Sequence, residues 1–492
     1  MEAMARNLKK EASQQLRIIT CPHEVFQRLS HGAICIYAHD ISQMVALSMA
    51  DGYARLTGKP QCVIVHVDVG TQNLGAAVHN ASCGRAPVLI FAGLSPYTTH
   101  GEYRGSRTEF IHWIQDVPDQ KAIVAQYCRY TAEIKRGANV KEMVNRALSF
   151  ARSDPQGPVY LYGAREAVEE DIQPYKINQA FWTPIEPAAL SSSQAVNLAE
   201  LLVDAKAPLI VTGYSGRKHT TVEAMVSLAN TVRGLRVLET GGSDMCFPAN
   251  HPAWQGFRLA GHESIKDADL ILVVDCDVPW IPTQCPPAKD AKILHIDTDP
   301  LKHQMPVFYI DAVARYRADS GIALRQVVEY IRKTPKLNDK VATAEYDQRW
   351  ARLQKTHAER LESISSAAQV DKNGLYNVSF IASTARSLLP RDTIFAVEAV
   401  TNATIVNDQI QATIPGSWIN CGGGGLGWSG GGALGIKLAT DFENGGEGKF
   451  VCQIVGDGTY MFSVPSTVSW IAQRYNIPVL TIVLNNKGEH TG

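Results

Sequence analysis

The sequence predicts an α/β protein of three domains, each with a mainly parallel sheet flanked by helices. Three observations carry that prediction. Continuous apolar runs recur along the chain and read as strands covered on both faces. They alternate with segments of helical apolar spacing, the order that builds parallel sheets. Many of the 38 glycines among 492 residues are clustered, in an otherwise ordinary composition.

The elements follow in order. LRIIT (16–20) is a short buried strand, and 44–57 has helical spacing that stops at Gly58-Lys59-Pro60. CVIVHVD (62–68), PVLIFAG (87–93) and PVYLYG (158–163) complete the first block. The Pro-containing stretch 174–188 leads to a second block with strands at 208–213, 235–240, 270–275 and 292–297. A charged, helical stretch at 340–369 reads as a connector, and a third block supplies strands at 393–398, 449–457 and 478–486. The expected domains are therefore 1–170, 190–335 and 373–492, with a helical connector at 336–372.

Bulk properties exclude several classes. Lys plus Arg at 47 against Asp plus Glu at 48 gives no reason to expect nucleic acid or an anionic membrane as partner. Ten scattered cysteines, without CxxC or metal-ligand spacing, read as reduced thiols of an intracellular protein. No apolar run reaches the ~18 residues of a spanning helix, and MEAMARNLKKEASQQ has no signal-peptide h-region. The expected location is cytoplasmic, with a mitochondrial one open because the start of the domain is short.

The strongest chemical signal lies near the end of the chain. Strand VCQIV runs into Gly456-Asp457-Gly458-Thr459, and a second strand runs into Asn485-Asn486-Lys487-Gly488. Loops after neighbouring parallel strands converge at the carboxyl edge of a sheet, where ligands bind. Asp457 offers a carboxylate and Asn486 a neutral carbonyl oxygen, both suited to Mg²⁺, which keeps other positions for phosphate oxygens and water. The flanking glycines admit a diphosphate, and Thr459 at a helix entrance can donate to it. The plainer alternative is two ordinary turns.

GDG followed by NN 29 positions after its Asp resembles the diphosphate-binding motif of thiamine diphosphate (ThDP) enzymes. MADGYARLTGKP (49–60), VDVGTQNLGAAVHNASCGRAPVLIFAG (67–93) and GGGGLGWSGGGALGIKLA (422–439) are similar to further segments of that family. The relevant branch holds acetolactate synthase, benzoylformate decarboxylase and oxalyl-CoA decarboxylase. The resemblance implies a pyrimidine-binding domain, a central Rossmann-like domain and a diphosphate-binding domain, in that order. It implies Mg²⁺ held by Asp457, Asn486 and the Gly488 carbonyl, and cofactor contacts from Gly425, Gly456, Gly458, Thr459 and Thr401. Leu426 would prop the cofactor in its bent shape, with core packing as the alternative. Glu398 and Ala399 lie with Thr401 after a strand that contacts cofactor in the family. Gly70, Thr71 and Gln72 would face the reaction centre. His79 and His112 are candidate proton donors, or structural histidines.

The family also needs a carboxylic acid beside N1′ of the pyrimidine, six positions ahead of the Met of the MADGYA-type helix. Counting back from Met49 reaches Gln43, which cannot ionise, whereas Cys21-Pro22-His23-Glu24 looks like the missing strand end with its catalytic glutamate. Removing residues 25–43 restores both register and residue type. Val25 is encoded by GTN, Gln43 by CAA or CAG, and nineteen codons keep the frame. A retained short intron is the preferred reading of 25–43, and a genuine surface insertion is the alternative. The expectation is also that the chain is truncated at both ends relative to the family.

The resemblance implies ThDP- and Mg²⁺-dependent cleavage or ligation of C–C bonds next to a carbonyl, with acetolactate synthase-like chemistry on a 2-oxoacid. A 2-hydroxyacyl-CoA lyase or oxalyl-CoA decarboxylase, acting on an acyl-CoA, is the alternative within the family, and a catalytically inactive paralogue the alternative outside enzyme function. The completed protein is expected to be a homodimer or homotetramer. FAD occupies the central domain of acetolactate synthases, but nothing in this sequence supports it.

Overall fold

The computed structural model describes residues 17–19, 42–259, 261–370 and 372–486. Glu24, Gly488 and nearly all of 25–43 lie outside them. Contacts divide the chain into two compact units, one of Met1–Glu186, Ala396–Glu398 and Cys421–Gly492, the other of Pro187–Phe395 and Ala399–Asn420.

The first unit opens with β1 (Arg17–Ile19), α1 (Gln43–Thr57), β2 (Gln61–Val65), α2 (Val69–Gln72), α3 (Gly75–Cys83) and β3 (Val88–Leu94). β4 (Tyr130–Glu133), α4 (Val140–Arg152) and β5 (Val159–Ala164) follow. The sheet runs β1-β2-β3-β5-β4, parallel throughout. α1 starts at Gln43 and stops at Gly58, which takes φ 66°, a left-handed cap that glycine adopts without a Cβ penalty.

The second unit contains α5 (Ser192–Asp204), β6 (Pro208–Thr212), α6 (His219–Thr231), β7 (Arg236–Thr240), β8 (Trp254–Arg258), β9 (Leu270–Val274), β10 (Lys292–Asp297) and β11 (Ala314–Arg317). Its parallel sheet has the order β11-β10-β9-β6-β7-β8, so the direction of winding reverses at β6. Helices α7 (Ser320–Lys333), α8 (Pro335–Val341) and α9 (Ala344–Ser366) pack on it. The connector reading of 340–369 needs correcting. Tyr346, Leu353 and Ile364 belong to the main core of this unit, with Trp350 and Leu361 packed against it. With the buried His357 these residues recur at three- and four-residue intervals, one buried stripe on a charged helix, and Tyr346 donates its hydroxyl to the Val203 carbonyl at 2.5 Å.

α10 (Val378–Leu388) precedes a third sheet, ordered β13-β12-β14-β15, from β12 (Ile394–Glu398), β13 (Trp418–Asn420), β14 (Val451–Gly456) and β15 (Leu480–Leu484). Between β12 and β13 lies α11 (Ala403–Ile410); α12 (Trp428–Glu443) precedes β14, and α13 (Asp457–Phe462) and α14 (Pro465–Arg474) follow it. The sequence reading omitted β4, β8, β11 and β13. All four stand at a sheet edge, where a strand has one neighbour and needs no continuous apolar run. No described helix is long and apolar enough to cross a membrane.

Within the first unit, α1 and α12 cross with almost no side-chain spacing. A Cβ built on Gly52 would lie 2.3 Å from the Gly432 carbonyl oxygen, one on Gly431 2.6 Å from the Val45 oxygen, and one on Gly435 1.9 Å from the Met49 oxygen. MADGYAR and GGGALG, far apart in sequence, are thus two halves of one contact. Beside it Asp51 and Arg55 form a fully buried pair at 3.9 Å, and the Arg55 guanidinium lies 5.3 Å from the centre of the Trp428 ring. Leu434 of α12 shares a core with Val45, Leu47 and Met49 of α1.

Gly435→Ala should therefore cost about 3 kcal/mol or more, because backbone must move to admit one methyl. Gly75→Ala, where a Cβ meets nothing within 4 Å among the described residues, should be neutral or slightly stabilising. Urea unfolding of the two variants checks this, and similar stabilities for both would contradict the crossing.

Candidate functional site

Three carboxyl-edge loops of the first unit carry its candidate chemistry. The first follows β14 and β15. These strands pair in parallel with Gly456 opposite Leu484, so Asp457 and Asn485-Asn486 leave the sheet side by side. Asp457 opens α13 directly and is half-buried, while Asn486 is exposed. Thr459 lies in the first turn of this helix and is 3% exposed. Among the described residues, a Cβ on Gly456 would meet only the Thr459 Oγ1, at 3.9 Å. No group of three or more His, Cys, Asp or Glu side chains suited to a metal occurs among the described residues. One carboxylate plus amide oxygens still fits Mg²⁺, because that ion is held by few protein oxygens and completes its shell with phosphate and water. The residues present fit a Mg²⁺-diphosphate on those grounds.

The second loop is the glycine-rich segment before α12. Asn80 of α3 grips Gly425 twice, accepting from its N–H at 3.0 Å and donating to its carbonyl at 2.6 Å. His79 Nε2 accepts the Gly424 N–H at 3.1 Å, and its ring meets Tyr127 edge-on at 5.8 Å. On the far side of Leu426, the buried Glu398 carboxylate accepts N–H groups from Gly427 at 3.0 Å, Trp428 at 3.2 Å and Ser429 at 2.7 Å. Leu426 itself is only part-buried, so both flanks are pinned while its side chain is not absorbed into the core. Glu398 is engaged by the start of α12 instead of being open to a ligand. His79 is a structural acceptor at Nε2. His112 likewise accepts a backbone N–H, from Thr108, at its Nδ1 at 3.2 Å. Thr401 is exposed in the turn Val400–Asn402 and falls in the second unit.

The third loop joins β2 to α3. Gly70 and Thr71 are buried and Gln72 is exposed. Thr71 Oγ1 lies 2.8 Å from the Tyr160 hydroxyl, so it anchors the loop inward, and Gln72 is the residue of the three that reaches solvent. β2 ends at Val65, which leaves His66 outside the strand at its carboxyl end and half-buried. The sequence reading had placed His66 within a longer strand and passed over it. The available signal was an imidazole immediately ahead of a glycine loop at a strand end.

At the winding reversal of the second unit, the N–H groups of Gly213 and Tyr214 after β6 both donate to the Asp275 carbonyl, at 3.1 and 2.9 Å. Buried Lys302 is paired with Asp297 and, at 2.9 Å, with Asp277. A dinucleotide bound at this edge would need such backbone donors for its diphosphate. They are already used, so the residues there do not fit FAD.

Three family matches fall in order along the chain. "Thiamine pyrophosphate enzyme, N-terminal TPP binding domain" matches residues 2–123, the corresponding central domain 196–316, and the C-terminal TPP binding domain 399–490. Similar curated proteins include a benzoylformate decarboxylase of Pseudomonas aeruginosa, 24% identical over 92% of this chain and 79% of that protein. A probable acetolactate synthase large subunit of Methanocaldococcus jannaschii is 22% identical over 90% and 73%, and 2-hydroxyacyl-CoA lyase 2 of Mus musculus 23% over 91% and 72%. Among solved structures, a thiamine diphosphate-dependent 4-hydroxybenzoylformate decarboxylase of Rhodococcus jostii RHA1 superposes with TM-score 0.75 at 22% identity, covering 98% of this chain and 85% of that one.

Burial pushes the Glu398 carboxyl up to about 7 from 4.5, with the N–H groups of Ser429, Trp428 and Gly427 pulling the other way. Because the folded value is the higher one, its stabilising contribution is complete below about pH 4.5 and lost as pH rises through about 7. Glu398→Gln has no such proton. The stability of wild type minus that of the variant should fall by about 3 kcal/mol across this window and be level above it. Chemical denaturation at stepped pH measures this, and a level difference from 4.5 to 7 would contradict the assigned environment.

Proposed function

The chain belongs to the thiamine pyrophosphate enzyme family, and from that premise we propose that it breaks or joins the C–C bond beside the carbonyl of a 2-oxoacid, in the manner of acetolactate synthase-like decarboxylases and carboligases. The observation that carries the proposal is the pairing of β14 with β15, which sets Asp457 beside Asn485-Asn486 at one sheet edge. Family membership makes this a decarboxylase, carboligase or lyase scaffold. The 2-oxoacid reading draws its support from benzoylformate decarboxylase and acetolactate synthase relatives.

In this reading Asp457, Asn486 and the Gly488 carbonyl hold Mg²⁺, and Gly456, Gly458 and Thr459 border the diphosphate. Gly425 and Leu426 form the prop under the cofactor's bend, and the loop Gly70-Thr71-Gln72 faces the substrate. ThDP, when bound, supplies a nucleophilic thiazolium carbon and a sink for the electron pair left by the broken bond. Glu24, carried by sequence alone, holds the proton at the pyrimidine N1′. His66, at the end of β2, is placed to move a proton to or from the substrate. Both flanks of Leu426 are hydrogen-bonded to buried side chains, which keeps this apolar surface in register.

Asp457→Ala removes the carboxylate that neutralises the diphosphate's metal, so Mg²⁺-dependent ThDP binding should fall at least ~100-fold. Titration calorimetry with equal affinity for both proteins would remove the site assignment. The same preparations, offered benzoylformate, pyruvate and a 2-hydroxyacyl-CoA, decide the reaction. CO₂ release from a 2-oxoacid supports the proposal, cleavage of the thioester substrate alone replaces it with the lyase reading, and tight cofactor binding without turnover marks an inactive paralogue.

Glu24→Gln should lower turnover by roughly 10²- to 10⁴-fold with little change in ThDP affinity, since an amide cannot exchange the N1′ proton. Unchanged turnover would remove Glu24 from the mechanism.

A further inference from the structure

The loop between β2 and α3 is held in a shape that its own residues do not favour. Asp68 takes φ 44° and ψ −81°, a conformation a non-glycine side chain keeps only when its surroundings impose it. The turn has no slack, since a Cβ on Gly70 would lie 2.9 Å from the His66 Cβ, and one on Gly93 3.0 Å from a Val67 methyl.

Gln120 supplies the constraint. Its amide oxygen accepts the Asp68 N–H at 2.7 Å. Its amide nitrogen donates to the Gly93 carbonyl at 2.8 Å and to the Tyr160 hydroxyl at 2.8 Å. Oxygen and nitrogen cannot be exchanged in this setting, because only the oxygen can accept from a backbone N–H. Both amide protons are therefore assigned, and the phenol acts as acceptor towards Gln120. Its own proton then goes to Thr71 Oγ1, 2.8 Å away. Burial pushes the Tyr160 hydroxyl up to about 12, so it keeps that proton across the working range. On the solvent side Gln72 donates to the Asp68 carboxylate at 2.7 Å. Gln120, Tyr160 and Thr71 are each at most 2% exposed. Packing alone would be served by Phe and Leu at 160 and 120. A directional polar network in their place fixes one geometry and penalises others, because each displaced partner is left unpaired in a dry interior.

We infer that Gln120 and Tyr160 are positioning residues that hold the strained 66–72 loop in the shape that presents His66 and Gln72 to substrate. The inference rests on the functional reading above for the word substrate, and on geometry alone for the clamp. It adds two residues that reach no ligand themselves and act through the backbone of Asp68 and the side chain of Thr71.

The test uses the full chain with Tyr160→Phe and, separately, Gln120→Leu. Backbone amide exchange of the 66–73 segment, measured by mass spectrometry without cofactor, should quicken about tenfold or more in each variant. Exchange in β3 and β5 should stay as in wild type. Affinity for ThDP with Mg²⁺ should stay within about twofold, while kcat falls roughly 10- to 100-fold, as small misplacements near reacting atoms do. Unchanged exchange in 66–73 overturns the clamp, and so does a rise spread evenly over the chain, which would mean general loosening. Altered exchange with wild-type kcat overturns the positioning role. A wild-type chain that binds no ThDP overturns the functional reading alone, and the exchange measurement still decides the clamp.

Discussion

The first unit depends on a helix crossing from which side chains have been removed. Gly52 on α1 faces Gly432 on α12, and Gly435 faces the backbone of Met49, with spaces too small for a methyl group. Backbones at that separation gain dispersion contacts along their whole length and tolerate no substitution. Because α12 is fixed against α1, its first turn is fixed too, and with it the loop that ends in Leu426. Glu398 completes the arrangement by taking three N–H groups at that turn.

Two of the three loops with candidate chemistry use buried or part-buried polar side chains to hold backbone. Asn80 and His79 grip Gly425 and Gly424, Glu398 grips the residues after Leu426, and Gln120 grips Asp68. Several of these were open to a chemical reading in the sequence. In the folded protein their polar atoms are spent on main-chain partners, as buried polar groups must be. Asp457, Asn486, Leu426, Gln72 and His66 are among the described residues that are part-buried or exposed at those sheet edges. Neighbours in sequence thus differ: Thr71 is buried against Tyr160 while Gln72 is exposed, and Gly425 is clamped while Leu426 stays part-buried.

The second unit solves its carboxyl edge differently. Its sheet reverses winding at β6, where a nucleotide would bind in a related architecture. Here Asp275 accepts both backbone donors and Lys302 bridges two aspartates, so the edge is closed by its own groups. The second unit's edge is thus self-satisfied, whereas in the first unit Asp457 and Asn486 are not buried at theirs.

The sequence by itself determined the elements buried on both faces. Their apolar runs are continuous because helices cover both sides, which is why the central strands of all three sheets and α1 with its Gly58 stop were legible. The GDG and NN strand ends were legible as two polar, glycine-flanked turns at a set spacing, with ordinary turns as the alternative. Edge strands such as β4 and β11, half satisfied by solvent, left no such trace, and the apolar stripe of α9 was masked by its charge. Only the tertiary structure decided that MADGYAR and GGGALG touch, that Glu398 and His79 serve backbone, and that His66 lies beyond its strand. Those facts depend on which atoms meet across hundreds of residues, and a carboxylate or imidazole has the same letter in the sequence whether it faces a ligand or a neighbouring amide.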